Sequence, residues 1–175
     1  DGIRDLVRSR GLGDVYKRQP LMRKERVINQ TIVFDVDGTI ADCEHRRCFV
    51  DGSQAKDWDR FREETVNDTP IQWVCDIAKR FIAKGDEVAF FSARNECQRE
   101  ITEKQISQWI GDGHKGVFLR PDDDYRSDVE FKRELANKFL DMGGKIDLIF
   151  DDRQCVVDMW RDEGFVVVQV AEGDF

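Results

Sequence analysis

Proline is scarce in this chain, histidine scarcer, and no CxxC pair occurs. No apolar run approaches the roughly 20 residues that a bilayer-spanning helix needs, and no tract is of low complexity. No GxxxxGK[ST] loop is present, so a Walker-type ATP site cannot be claimed. Positive charge is also short: 28 Lys and Arg against 36 Asp and Glu leave a formal net charge of −8. That excludes a broad basic groove for duplex DNA, although a site gripping one phosphate needs only a few local cations. The five cysteines, Cys43, Cys48, Cys75, Cys97 and Cys155, form an odd, scattered set. They read as reduced, mostly buried thiols of a cytosolic protein, and Cys43–His45–Cys48 lacks the second pair that a zinc site requires.

What is present suits one soluble domain with a real core: 175 residues, 40% hydrophobic and 37% charged. The first twenty residues stand apart, with five Lys/Arg against three Asp and no sustained period. Residues 1–21 read as adaptor or vector read-through, non-native or disordered, with Met22 as a start; too many acids and too few serines oppose a mitochondrial presequence. Residues 22–175 are then the functional domain.

From residue 31 short apolar runs alternate with amphipathic segments. Strands are predicted over 31–36, 87–93, 116–120, 145–152 and 165–170, and helices over 68–85, 96–113, 127–144 and 153–164. Asp68 or Thr69 is the expected cap of the first helix, Pro70 its first turn and Gly85 its stop; Ser127 opens the third. Such alternation predicts a parallel sheet covered by helices on both faces.

Polar residues cluster where successive strands end. "FDVDGT" (34–39) places Asp35 and Asp37 one residue apart, hence on one side of the strand. A solvated Asp-Gly turn would explain this pair alone. However, Ser92 and Arg94 follow the second strand, and Asp151 and Asp152 end the fourth. In open α/β sheets that edge is where ligands bind. Asp35, Asp37 and Asp151 make an oxygen-only donor set suited to Mg²⁺. A carboxylate at Asp35 can attack phosphorus, and Asp37 can exchange the protons. Gly38 and Thr39 would turn the chain with backbone N–H groups toward the phosphate. Ser92 would donate to a phosphoryl oxygen and Lys132 would add fixed positive charge. Asp128 and Lys132 stand four residues apart, an i,i+4 pair.

"DVDGT", "FFSAR", "DVEFK" and "IFDDR" occur in the order of the four motifs of the haloacid-dehalogenase-like phosphohydrolases, which residues 31–175 resemble. Within that superfamily the chain is most similar to the 3′-phosphatase domain of phage-type polynucleotide kinase/phosphatases, through Arg46, the Asp128–Lys132 pair and the ending "DDRQCVVDMWRDEGFVVVQVAEGDF". The resemblance implies a Rossmann-like α/β fold and a Mg²⁺-dependent phosphatase acting on 3′-phosphorylated DNA or RNA ends. It implies Asp35 as nucleophile, Asp37 as acid/base, and Asp151 and Asp152 as metal-side acids beside Asp35 and Asp37. Ser92 and Lys132 would hold the phosphate, with Thr39, Arg46 and Arg94 at the substrate and Asp128 orienting Lys132. The second motif departs from the family's in reading Ser-Ala-Arg rather than Ser-Gly-Arg, and Arg47 competes with Arg46 on spacing alone.

No interval between motifs is long enough for a large cap domain, so the crevice stays open and admits a polymer end. Trp58, Phe61 and Trp109 are candidate stacking surfaces for a base, with core packing the simpler reading for Phe61 and Trp109. A small-molecule phosphatase of the same mechanism, and a non-catalytic module keeping the fold, are the competing readings. The resemblance allows a homo-oligomer or association with a kinase domain, no membrane, and a cytoplasmic location.

Overall fold

In the computed structural model residues 29–51 and 55–173 are described, so the reading of residues 1–21 and of Met22 lies outside them. The elements run β1 (Thr31–Phe34), β2 (Ala41–Asp42), α1 (Glu44–Arg47), α2 (Trp58–Glu63), β3 (Thr69–Pro70), α3 (Gln72–Lys84) and β4 (Glu87–Asn95). They continue as α4 (Arg99–Trp109), β5 (Gly116–Arg120), α5 (Asp128–Asp141), β6 (Leu148–Arg153), α6 (Gln154–Asp162) and β7 (Val167–Gly173). Five strands form one sheet in the order β5-β4-β1-β6-β7, and every neighbouring pair is parallel. The expected doubly covered parallel sheet is therefore present, and no large cap stands among the described residues.

Alternation within the strands divides the core in two. Ile32, Phe34, Val88 and Phe90 face α3 and α4 together with Val74, Ala78 and Ile106. Val33, Ala89, Phe91 and Ile149 face α5 and α6 with Phe139, Val156 and Trp160. Because helices cover both faces, the central strands are apolar throughout rather than half polar. Phe34 stacks on Phe150 with ring centroids 4.5 Å apart, tying β1 to β6 beside the residues that end them.

Several boundaries differ from expectation, among them the ends of β1 at Phe34 and of α4 at Trp109. The first long helix begins at Gln72 rather than near Pro70, because Thr69 and Pro70 pair antiparallel with Ala41 and Asp42. β6 begins at Leu148, and β7 starts two residues later than expected and runs three further. Gly85 does end α3 in the left-handed conformation, and Ser127 caps α5 through a reciprocal box with Glu130. Of the five free cysteines only Cys43 and Cys75 are buried; Cys48, Cys97 and Cys155 are exposed, against the expectation of mostly buried thiols. They fall on solvent-facing positions of short helices or turns, where no apolar stripe demands them.

Candidate active site

Position along the sheet does the first part of the work. β1, β4 and β6 are adjacent and parallel, so their C-terminal ends meet at one edge. Asp35 follows β1, Ser92 and Arg94 lie in the C-terminal half of β4, and Asp151 and Asp152 lie in β6. The β4–β5 register shifts between Phe91 and Asn95, and the β6–β7 register between Asp151 and Arg153. Such irregularities re-aim side chains where a regular ladder would not. Asp35, Asp37, Ser92, Arg94, Lys132 and Asp152 line one cavity of about 190 Å³, room for roughly six waters and hence for a phosphoryl group.

Two charge clusters fill its floor. In the first, Lys132 from α5 places Nζ 2.9 Å from Asp35 and 2.8 Å from Asp151. Asp35, Asp151 and Asp152 bring carboxylate oxygens within 4.8 Å of one another, and all three are buried. One ammonium against three carboxylates leaves a formal surplus of two negative charges among buried side chains, which a divalent cation of the Mg²⁺ type would balance. The imbalance shows in the acids themselves. Burial raises the Asp35 carboxyl well above its usual range, Lys132 pulls it back, and Asp151 and Asp152 push it up again. Burial, then the Asp151 charge, lifts Asp152 to about 6. Burial alone would lower Lys132, yet Asp151 and Asp35 outweigh it and hold the ammonium charged.

The second cluster is a quartet. Asp37 accepts from Arg46 Nη2 at 2.6 Å and from Arg94 Nε and Nη2 at 2.9 and 2.6 Å. Asp68 accepts from Arg46 Nε and Nη2 at 2.7 and 2.9 Å and from Arg94 Nη2 at 2.6 Å. Two guanidiniums thus alternate with two carboxylates. Burial by itself would raise the Asp37 carboxyl, but Arg94 and Arg46 together hold it below its ordinary value. Gln105 and Thr102 take the remaining Arg94 donors. The Arg46 guanidinium lies 4.2 Å above the Phe61 ring.

Several expected contacts are made differently. Asp37 stands outside the acid cluster because its carboxylate is engaged by Arg46 and Arg94. Gly38 and Thr39 spend their N–H groups inside the turn, on Ala41 O and Val36 O, rather than presenting them to a ligand. The Thr39 hydroxyl donates to Asp152 at 3.3 Å. Asp128 does not pair with Lys132; its carboxylate meets Arg120 and Arg153, because Lys132 is drawn inward between two acids. Arg46 is wholly buried and absent from the cavity wall, so it reaches the site through Asp37. Ser92 is buried and accepts from Arg94 N at 3.2 Å. Trp109 packs against the core, whereas Trp58 is 47% exposed at the cavity mouth.

Sequence reasoning missed Asp68 and Trp160. A lone Asp ahead of a helix reads as a cap, and its partners lie 22 and 26 residues away. Trp160 falls on the apolar stripe of α6, yet its Nε1 donates to Asp151 Oδ2 at 3.2 Å. Gly38 is required on two counts: its φ is +79°, and a Cβ there would collide with the Asp152 carboxylate.

The chain is similar to known proteins in sequence and in fold. A candidate bifunctional polynucleotide kinase/RNA ligase of Autographa californica nuclear polyhedrosis virus is 27% identical over 133 residues, 76% of this chain and 18% of the relative. A chain of the Pnkp1/Rnl/Hen1 RNA repair complex superposes with a TM-score of 0.66 at 28% identity, over 84% of this chain and 44% of that one. A class C acid phosphatase from Bacillus anthracis, at 18% identity and TM-score 0.56 over 84% of this chain and 68% of that one, shares the fold. The chain spans less than half the length of the first two. Residues 29–175 match the family described as the polynucleotide kinase PNKP phosphatase domain, so this chain belongs to that branch of the haloacid-dehalogenase-like phosphatases.

Proposed function

We propose that the chain is a Mg²⁺-dependent polynucleotide 3′-phosphatase working through an aspartyl-phosphate on Asp35. The observation that carries this reading is the placement of a buried Asp35 against Lys132 and two further acids, at an open cavity of phosphoryl size. Asp35, Asp151 and Asp152 would hold the cation, which when bound offsets charge on the phosphoryl oxygens.

Asp35 forms the new bond to phosphorus as the bond to the leaving 3′-oxygen breaks. Lys132 and Ser92 hold the equatorial oxygens. Asp37 delivers a proton to the departing oxygen, then takes one from the water that cleaves the acyl phosphate, returning Asp35 as carboxylate. Its two guanidiniums favour the ionised form. The proton for the first step is therefore acquired in the complex, from the monoanionic ester, whose second ionisation lies near pH ~6. Arg46 and Arg94 fix Asp37 in place rather than gripping substrate.

The longer relatives are a candidate polynucleotide kinase/RNA ligase and a chain of an RNA repair complex, which supports polynucleotide ends as substrates and a kinase segment as partner. The test is phosphate release, with Mg²⁺ or with EDTA, from a 3′-phosphorylated oligonucleotide, its 5′-phosphorylated counterpart and a nucleoside 3′-monophosphate. Release from 3′-ends that Asp35→Asn and EDTA abolish is the expected result. Faster turnover of the mononucleotide would move the function to small-molecule metabolism, and no release from a folded preparation would overturn the catalytic reading.

A further inference from the structure

Beyond the phosphate cavity lies a second, larger groove of about 540 Å³, and the two share Trp58, Arg62, Ala93, Asn95 and Asp128. We propose that this groove seats the nucleotides preceding the terminal phosphate of a single-stranded 3′ end, and that it holds them by stacking bases on Trp58 and Tyr125. The proposal rests on the phosphatase reading above, since only a substrate anchored by its 3′-phosphate would lay its next nucleotides here.

Three observations favour stacking over backbone charge. First, the groove carries two large aromatic side chains that the core has not claimed: Trp58 is 47% and Tyr125 is 91% exposed. Leaving such rings in water costs hydrophobic free energy, which a base recovers. Second, its arginines are already spent. Arg62 pairs with Asp59, Arg120 with Asp128, and Arg126 with Asp124 and Glu134. Across the lining, three arginines face Asp122, Asp124 and Asp128, so the groove has no surplus of positive charge for a row of phosphates. Bases offer a π-face whatever their identity, so recognition of this kind is tolerant of sequence.

Third, the Trp58 ring and the backbone loop that carries Tyr125 are braced. The Tyr125 loop is tied by Arg120 Nη1 donating to Arg126 O at 2.6 Å, by Cys97 N donating to Asp122 at 2.9 Å, and by Asp124 N donating to Pro121 O at 3.1 Å. Trp58 meets the edge of Phe61 at 86° with centroids 5.9 Å apart, and Lys56 Nζ sits 5.2 Å from its ring. Phe61 in turn lies under Arg46, so the Trp58 platform is mechanically continuous with the quartet that holds Asp37. A preorganised platform loses little entropy when a base lands on it.

The experiment compares wild type with Trp58→Ala, Tyr125→Ala and Trp58→Phe on three substrates: 3′-phosphorylated trinucleotides of DNA and of RNA, and p-nitrophenyl phosphate. Each alanine variant is expected to lower kcat/KM for the trinucleotides roughly 5- to 100-fold, mainly through KM. The loss on p-nitrophenyl phosphate should be at least fivefold smaller, and Trp58→Phe should recover most of the activity. Trinucleotide binding to Asp35→Asn, read by anisotropy of a labelled strand, should weaken by the same factor. It should change less than about tenfold between 50 and 200 mM salt, whereas contacts to the two internal phosphates as well would lose roughly 20- to 50-fold. Equal losses on all substrates would mark the rings as structural. Unchanged trinucleotide KM and binding in both alanine variants would overturn the groove assignment, even with 3′-phosphatase activity intact. If wild type cleaves p-nitrophenyl phosphate but no 3′ end, the phosphatase reading above falls, and the binding arm alone decides the groove.

Discussion

Asp68→Asn is the most informative single change. Its carboxylate accepts three hydrogen bonds from Arg46 and Arg94, between 2.6 and 2.9 Å, at a fully buried position. Burial pushes the Asp68 carboxyl up despite the Arg46 fork, so it sits where charge is costly and only its partners justify it. With asparagine there, two buried guanidiniums face the single carboxylate of Asp37. Breaking a buried pair in this way costs about 3–5 kcal/mol, and the surviving amide oxygen favours the lower figure. Against a total of about 5–15 kcal/mol the protein stays folded. Its Tm falls by roughly 6–12 °C for a domain of this size. Function suffers separately: Arg46 and Arg94, no longer anchored from behind, let Asp37 drift from the cavity, and kcat falls more than KM rises. Urea unfolding at neutral pH and steady-state kinetics on one preparation measure both. A double-mutant cycle with Arg46→Gln should return a coupling above about 1 kcal/mol. A change in stability below about 0.5 kcal/mol with normal kcat would refute the quartet as the support of Asp37.

Gly38→Ala puts a methyl into the Asp152 carboxylate at a φ of +79°; Mg²⁺ affinity by calorimetry should drop at least about tenfold, with a stability loss above about 1 kcal/mol. Trp160→Phe keeps one aromatic ring but removes the pyrrole half of the indole and with it the donor to Asp151, a charge-assisted bond of about 1.5–3 kcal/mol; the expected result is weaker Mg²⁺ binding and a lower Tm, with far-UV circular dichroism retained. Asp35 and Asp152 are both raised by burial and by neighbouring acids, Asp152 to about 6. A carboxyl raised in the fold binds protons that the unfolded chain has shed. Its stabilisation is therefore full below the unfolded value near ~4 and lost as pH rises through about 6. In EDTA the Tm should fall between pH ~5 and ~7, and Mg²⁺ should restore it most at pH ~7; a metal-free Tm that climbs over that window contradicts this account.

How much of this was legible beforehand depended on distance along the chain. The strands expected over 31–36, 87–93 and 116–120 follow from apolar runs and stand at Thr31–Phe34, Glu87–Asn95 and Gly116–Arg120, and Gly85 and Ser127 end and begin helices through local backbone chemistry. Period and capping are properties of a few adjacent residues, so sequence alone settles them. The parallel order then required Asp35, Ser92 and Asp151 to share one edge, which chain topology dictates without knowledge of any side-chain contact. Side-chain partners were another matter. Lys132 chose Asp35 and Asp151 over Asp128, although Asp128 is one helical turn away, because the interior offered it two unneutralised acids. Asp68 looked like a helix cap and became the anchor of two arginines, and Asp37 turned from the acid cluster toward them. Those choices are electrostatic and are made in a low dielectric, where every buried charge seeks the nearest counter-charge in space. Only the folded chain fixes which one that is.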